Sequence, residues 1–174
     1  MESAELALVQ SIIRSAFAGV VLGSGVSIRQ SEVIDRYGDG VPREFAALPR
    51  SEITDDWERV PDTELERAFV SYFDAQGFRY YIPALALSVL RNYDSGSLRV
   101  IATIRSLYPK KENWSYCVHK YELLSDRQKF ALALFLSHLP NLVTLGYENE
   151  TCVSRALRNY WSQFLECSSN PPEG

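Results

Sequence analysis

No apolar run in this chain approaches the roughly 20 residues needed to cross a bilayer. The longest, residues 78–90, is interrupted by Arg79 and Ser88. Cysteine occurs three times, at Cys117, Cys152 and Cys167. An odd count with no close pair argues against a disulfide framework and suits a reducing cytosol. Cys152, Cys167 and His138 lack the spacing of three or four metal ligands, so neither a metal nor a cofactor is expected. A phosphate-cradling loop, a zinc-protease helix and a nucleophile elbow are missing as well, and Gly23-Ser24-Gly25 reads as a plain turn. Basic charge is scarce: 18 Lys and Arg stand against 22 Asp and Glu, a net charge of −4. The basic pair Lys110-Lys111 is too short for a phosphate backbone, so no nucleic-acid partner is expected. The acidic start, Met1-Glu2-Ser3-Ala4-Glu5, is unlike a secretory signal, which points to the cytoplasm.

What is present is apolar and aromatic: 46% and 12% of 174 residues. A chain of that size buries roughly 70% of its unfolded surface in one domain. Three- and four-residue spacings of apolar side chains recur along it, the signature of helices. The reading is an all-α single domain over residues 1–167, of six or seven helices, with a polar tail at 168–174. Ser3 is placed to cap a helix over 3–18. Ser27 with Gln30 and Ser125 with Gln128 form capping boxes for helices over 28–37 and 126–139. Asp62 is expected to cap a helix running to about Phe73, with Leu65, Phe69 and Phe73 on one face. Pro83 suits the first turn of a central helix over 83–92, which leaves 78–82 as an extended entry. That helix is expected to pack on 126–139, which Pro140 ends. Further helices are expected over 98–107 and 148–166. Within 109–124, the alternation at 116–121 suggests a short extended segment.

Several stretches occur in one order: residues 27–38, Asp55-Asp56-Trp57, Val60-Pro61, residues 73–84, Leu124 to Gln128, and Phe135-Leu136. That series resembles an uncharacterised bacterial family, one of the domains of unknown function, over roughly residues 10–140. The most specific part is D-A-x-G-F-R-[FY]-Y-[IL]-P-A at residues 74–84. The resemblance implies a small bacterial one-domain protein and carries no activity.

Two candidate sites follow from the residues themselves. In residues 52–66 seven acids oppose Arg59 alone, more negative charge than the whole chain carries net. Glu52, Asp55, Asp56, Glu58, Asp62 and Glu64 would rim a docking patch anchored by Trp57, since interface hot spots favour aromatics and acids steer encounter with a basic partner. This makes a non-enzymatic protein-binding protein the leading expectation, in sharper form an immunity-type inhibitor that neutralises a basic toxin. The alternative is an enzyme or small-ligand binder with a pocket around Arg79, Tyr80 and Tyr81. In that stretch an internally ion-paired arginine, with Asp74 or Asp35, is the plainer reading. Cys117 and His119, two apart in an extended segment, would share a side and form the one close thiol–imidazole pair.

Overall fold

The computed structural model describes residues 3–48 and 56–166, and among them every regular element is helical. The order is α1 (Ala4–Phe17), α2 (Ile28–Tyr37), α3 (Asp62–Leu65), α4 (Ala75–Arg91), α5 (Leu98–Ser106), α6 (Trp114–Lys120), α7 (Asp126–Leu142), α8 (Tyr147–Ala156) and α9 (Ser162–Glu166). Glu52, Asp55 and the tail at 168–174 lie outside the described residues.

Three helix starts follow the expected capping chemistry, whereas Asp62 does not cap its helix: it is the first helical residue after Pro61, and its carboxylate is held by Ser88, Arg91 and Asn92. Ser3 Oγ accepts from the Leu6 amide. Both halves of the capping box are made at Ser27–Gln30 and again at Ser125–Gln128. Each such cap satisfies amides that have no partner within the helix.

The central helix starts eight residues earlier than its proline suggested. The Asp74 carboxylate accepts from the Gly77 amide and from the Val26 amide, both at 2.8 Å, so it caps α4 and ties the preceding loop to it. Gly77 permits this approach: a Cβ there would lie 2.4 Å from the Val26 carbonyl. Pro83 therefore sits inside the helix. It withholds the amide that would reach the Arg79 carbonyl, a cost of about 3 kcal/mol. Burial outweighs it, because every residue from Tyr80 to Leu90 is buried.

The packing partner also differs from expectation. The most extensive helix pairing is α1 with α7, and α1 packs on α4 too, while α7 meets α4 only narrowly. Val9, Ile13 and Phe17 of α1 are fully buried and fill the space assigned to a direct α4–α7 contact.

Three further boundaries move. The helix opened at Asp62 ends at Leu65, and a single 3₁₀ turn follows at Val70–Tyr72. Arg67 reaches Glu32 at 2.8 Å and the Phe69 amide donates to Ser31 Oγ, so α2 holds this stretch rather than a continuous helix. Residues 116–121 are not extended: α6 is a helix whose Cys117 and Lys120, with Tyr121 just beyond, are buried at three- and four-residue steps. Pro140 does not end α7, which continues to Leu142. The last helix passes through a π turn at Leu157–Trp161, where the buried Trp161 donates its indole N–H to the Leu107 carbonyl.

Candidate functional site

The acidic stretch is tied into the fold. Trp57 is 3% exposed, stands edge-on to Phe17, and donates its indole N–H to the Phe17 carbonyl at 2.8 Å. It is a core residue and offers no anchor to a partner. Asp62 Oδ1 accepts from Ser88 Oγ at 2.7 Å and from Arg91 at 2.9 Å, and Asn92 donates to the other oxygen. Arg99, itself buried, donates to the same Ser88 oxygen. Burial alone would raise the Asp62 carboxyl. The hydrogen bonds from Ser88 and Arg91, with the charges of Arg91 and Arg99, outweigh it and hold its pKa below the usual carboxylate value. Glu64 is bridged to Arg29 and Arg67, and Glu58 to Arg14. Asp56 is exposed and caps the short turn at Trp57–Arg59.

The expected pocket of Arg79, Tyr80 and Tyr81 does not assemble. Tyr80 and Tyr81 are fully buried, with Tyr81 stacked on Phe73. Arg79 faces another way and donates from Nε to Gln128 Oε1 at 3.2 Å. Neither Asp74 nor Asp35 is bonded to it. The thiol–imidazole pair is also dispersed, because α6 turns positions two apart to different sides. His119 is exposed and pairs with Glu122. Burial pushes the Cys117 thiol up, away from a reactive thiolate. His138 reaches across from α7 to Glu5 of α1 at 2.5 Å.

What the structure does bring together is a groove of about 550 Å³ between residues 66–72, α5 and α6. Phe69, Tyr72, Leu98 and Tyr116 line it, and these are 41%, 39%, 82% and 53% exposed. In an acidic chain its charge is reversed: Arg67, Arg99, Arg105, Lys110 and Lys120 line it against only Asp35 and Glu66. Lys120 is at its base, 6% exposed, donating to the Ser71 carbonyl at 2.6 Å and the Val70 carbonyl at 3.0 Å. The ammonium also lies over the Tyr116 ring, and the Tyr116 hydroxyl donates to Ser71 as well. Burial pushes the Lys120 pKa down to about 8, with Cys117 and Asp74 pulling the other way. α6 and the 3₁₀ turn are thus clasped by a cation and two carbonyls.

Sequence reasoning missed this site because its lining comes from separate segments, distant in the chain. The one local signal was the exposed side of α6, hidden by reading 116–121 with a period of two.

Among the described residues no group of His, Cys, Asp and Glu could hold a metal, and no helix is long and apolar enough to cross a membrane. Neither a curated protein nor a solved structure matches the chain. A family model matches residues 5–165, nearly the whole of the described fold, and the chain therefore belongs to a family of unknown function, DUF6714.

Proposed function

We propose that this chain is a non-enzymatic protein-binding protein and that the groove between residues 66–72, α5 and α6 holds a short segment of its partner. One observation carries the reading: four large, substantially exposed apolar side chains converge on one groove. A small-molecule site encloses its aromatics, whereas a docking surface presents them within a polar rim. The partner segment offers an apolar side chain to Phe69, Leu98 and Tyr116 and a carboxylate to Arg105 and Lys110. Lys110 is exposed, and among the described residues it has no ion pair. The absence of a role for chemistry is supported by Lys120, committed to two carbonyls, and by a Cys117 thiol shifted away from reactivity.

The narrower reading, an inhibitor that captures a basic toxin through residues 52–66, has less support. Its anchor is buried, and Glu58, Asp62 and Glu64 are paired within the chain. Among the described residues, exposed Asp56 and Glu66 and half-exposed Glu58 are left to steer a basic partner.

The test is selection of random displayed peptides on the immobilised full chain, followed by fluorescence polarisation of a selected peptide. An apolar–acidic consensus is expected, with affinity lowered at least about tenfold by Leu98→Glu combined with Lys110→Glu. Leu98 and Lys110 are exposed, so the variant keeps its core. No enrichment, or equal affinity for the variant, overturns the reading.

A further inference from the structure

A second cavity, of about 580 Å³, lies on another face, between residues 16–21, the first turns of α4 and the start of α7. Arg79 is the one charged side chain among its lining residues; the polar neighbours, Gln76, Ser125 and Gln128, are neutral. We infer that this cavity is a small-oxyanion site in which the Arg79 guanidinium receives a carboxylate or phosphate group of a free small molecule.

Arg79 is half-buried and, among the described residues, has no acidic partner. An arginine stays protonated in proteins, so a partly desolvated guanidinium needs a carboxylate, a phosphate or water. Among the described residues no carboxylate comes within ion-pair distance of Arg79, and its one hydrogen bond runs from Nε to a neutral amide oxygen. That amide is itself immobile. Gln128 is 3% exposed, its Oε1 also accepts from the Ser125 amide, and its Nε2 donates to the Ala16 carbonyl at 3.2 Å. Gln128 thus fixes one edge of the guanidinium and leaves the Nη1 and Nη2 donors directed elsewhere. A planar fork with two free N–H groups side by side matches the two oxygens of a carboxylate or phosphate.

The surroundings favour the same occupant. Among the described residues no acid lines the cavity to compete for the arginine. Gln76 accepts from Ser24 through Oε1, which orients its amide and leaves Nε2 as a further donor. Gly19, at φ +75°, turns the chain at the rim, and a Cβ there would meet nothing within 4 Å, so the mouth is open.

The experiment is a titration of the ¹⁵N-labelled full chain with inorganic phosphate and, separately, succinate, at constant ionic strength, followed by amide chemical shifts. Saturable shifts are expected at residues 16–21 and in the Gln76 side chain, with Kd on the order of 1 mM. Arg79→Gln lowers the affinity at least about tenfold, and Arg79→Lys, which keeps the charge without the fork, lowers it about threefold. Saturation by phosphate but not succinate assigns the site to phosphates; the reverse assigns it to carboxylates. If no shift saturates, or if shifts centre on Lys110-Lys111 in the wild-type chain, or if Arg79→Lys and Arg79→Gln bind as tightly as wild type, the inference fails. The wild-type shift map decides the matter even if Arg79→Gln does not fold.

Discussion

In the acidic stretch at residues 56–66 the carboxylates of Glu58, Asp62 and Glu64 turn onto the chain's own arginines, whereas the neighbouring groove sets cations beside exposed apolar side chains. The two regions are connected. Asp62 and Glu64 engage Arg99 and Arg67, both of which also line the groove. Arg105, Lys110 and Lys120 remain, and among the described residues Arg105 alone of these is ion-paired, to the exposed Glu148 at 3.4 Å. Density of charge in a sequence and charge on offer to a partner are therefore different quantities. The difference is made by arginines distant in sequence: Arg14, Arg29, Arg91 and Arg99 all come from outside the acidic window.

The largest effect that sharpens the contrast is at Trp57. Trp57→Ala removes a buried indole and its bond to the Phe17 carbonyl, and is expected to cost about 3–5 kcal/mol. Urea denaturation measures it. An exposed anchor would lose under about 0.5 kcal/mol on the same substitution, so a small loss would return Trp57 to the surface.

Asp62→Ala comes next, at about 2–3 kcal/mol, because it leaves Arg99 buried with Ser88 and a backbone carbonyl as its remaining partners. The pH dependence has a definite sign. The folded pKa of Asp62 lies below its ordinary value of 3.8. Its contribution is therefore fully present above about pH 4–5 and is lost as the pH falls through the folded value. The variant should show a correspondingly shallower acid limb in pH-dependent denaturation. An unchanged limb would mean that Asp62 is solvated rather than held by its network.

These effects also mark what the sequence disclosed. Caps were legible because they are local: Ser27 with Gln30 and Ser125 with Gln128 lie three residues apart and formed as expected. The all-α class was legible from apolar spacing. Helix limits set by distant partners were not. The start of α4 depends on Asp74 meeting the Val26 amide and on a glycine against the Val26 carbonyl, 48 and 51 positions away. The end of α3 depends on Glu32 and Ser31 of α2. The acidic stretch was legible as charge, but Trp57 was misread, because an aromatic among acids looks the same in a sequence whether it points in or out. The groove was illegible for the same reason: the apolar residues that line it come from three separate segments.

Lys120 tests the groove side of the comparison. With a folded pKa of about 8 against an ordinary value of 10.5, it is protonated in both states below pH 8, where burial of the charge costs most. Between about pH 8 and 10.5 the unfolded chain binds more protons, so this residue makes stability rise with pH, by about 1–3 kcal/mol. Cys117, Tyr116 and Tyr121 pack nearby with raised pKa values and act in the opposite direction over the upper part of this range. The measurement is therefore the difference between wild type and Lys120→Met from pH 7 to 10. The wild type should gain on the variant as pH rises. A flat difference would place Lys120 in water, and the clasp between α6 and the Val70–Tyr72 turn would have to be discarded.

The smallest effect discriminates most sharply between the two surfaces. Asp56→Asn with Glu58→Gln removes two charges while retaining a side chain that can cap the Trp57–Arg59 turn. The Arg14–Glu58 pair is more than 40% exposed on both sides, so its loss should cost less than about 1 kcal/mol. Affinity for a groove-selected peptide should change less than about twofold at physiological salt, where screening limits the reach of exposed charges to about 8 Å. If instead capture of a native partner collapses in this double variant and survives Leu98→Glu with Lys110→Glu, the acidic face is the working surface. The basic-partner inhibitor then takes the place of the groove binder, with encounter steering in place of an aromatic anchor. The pair of variants separates the alternatives because each alters only exposed side chains on one surface and leaves the buried network of Asp62, Ser88 and Arg99 intact.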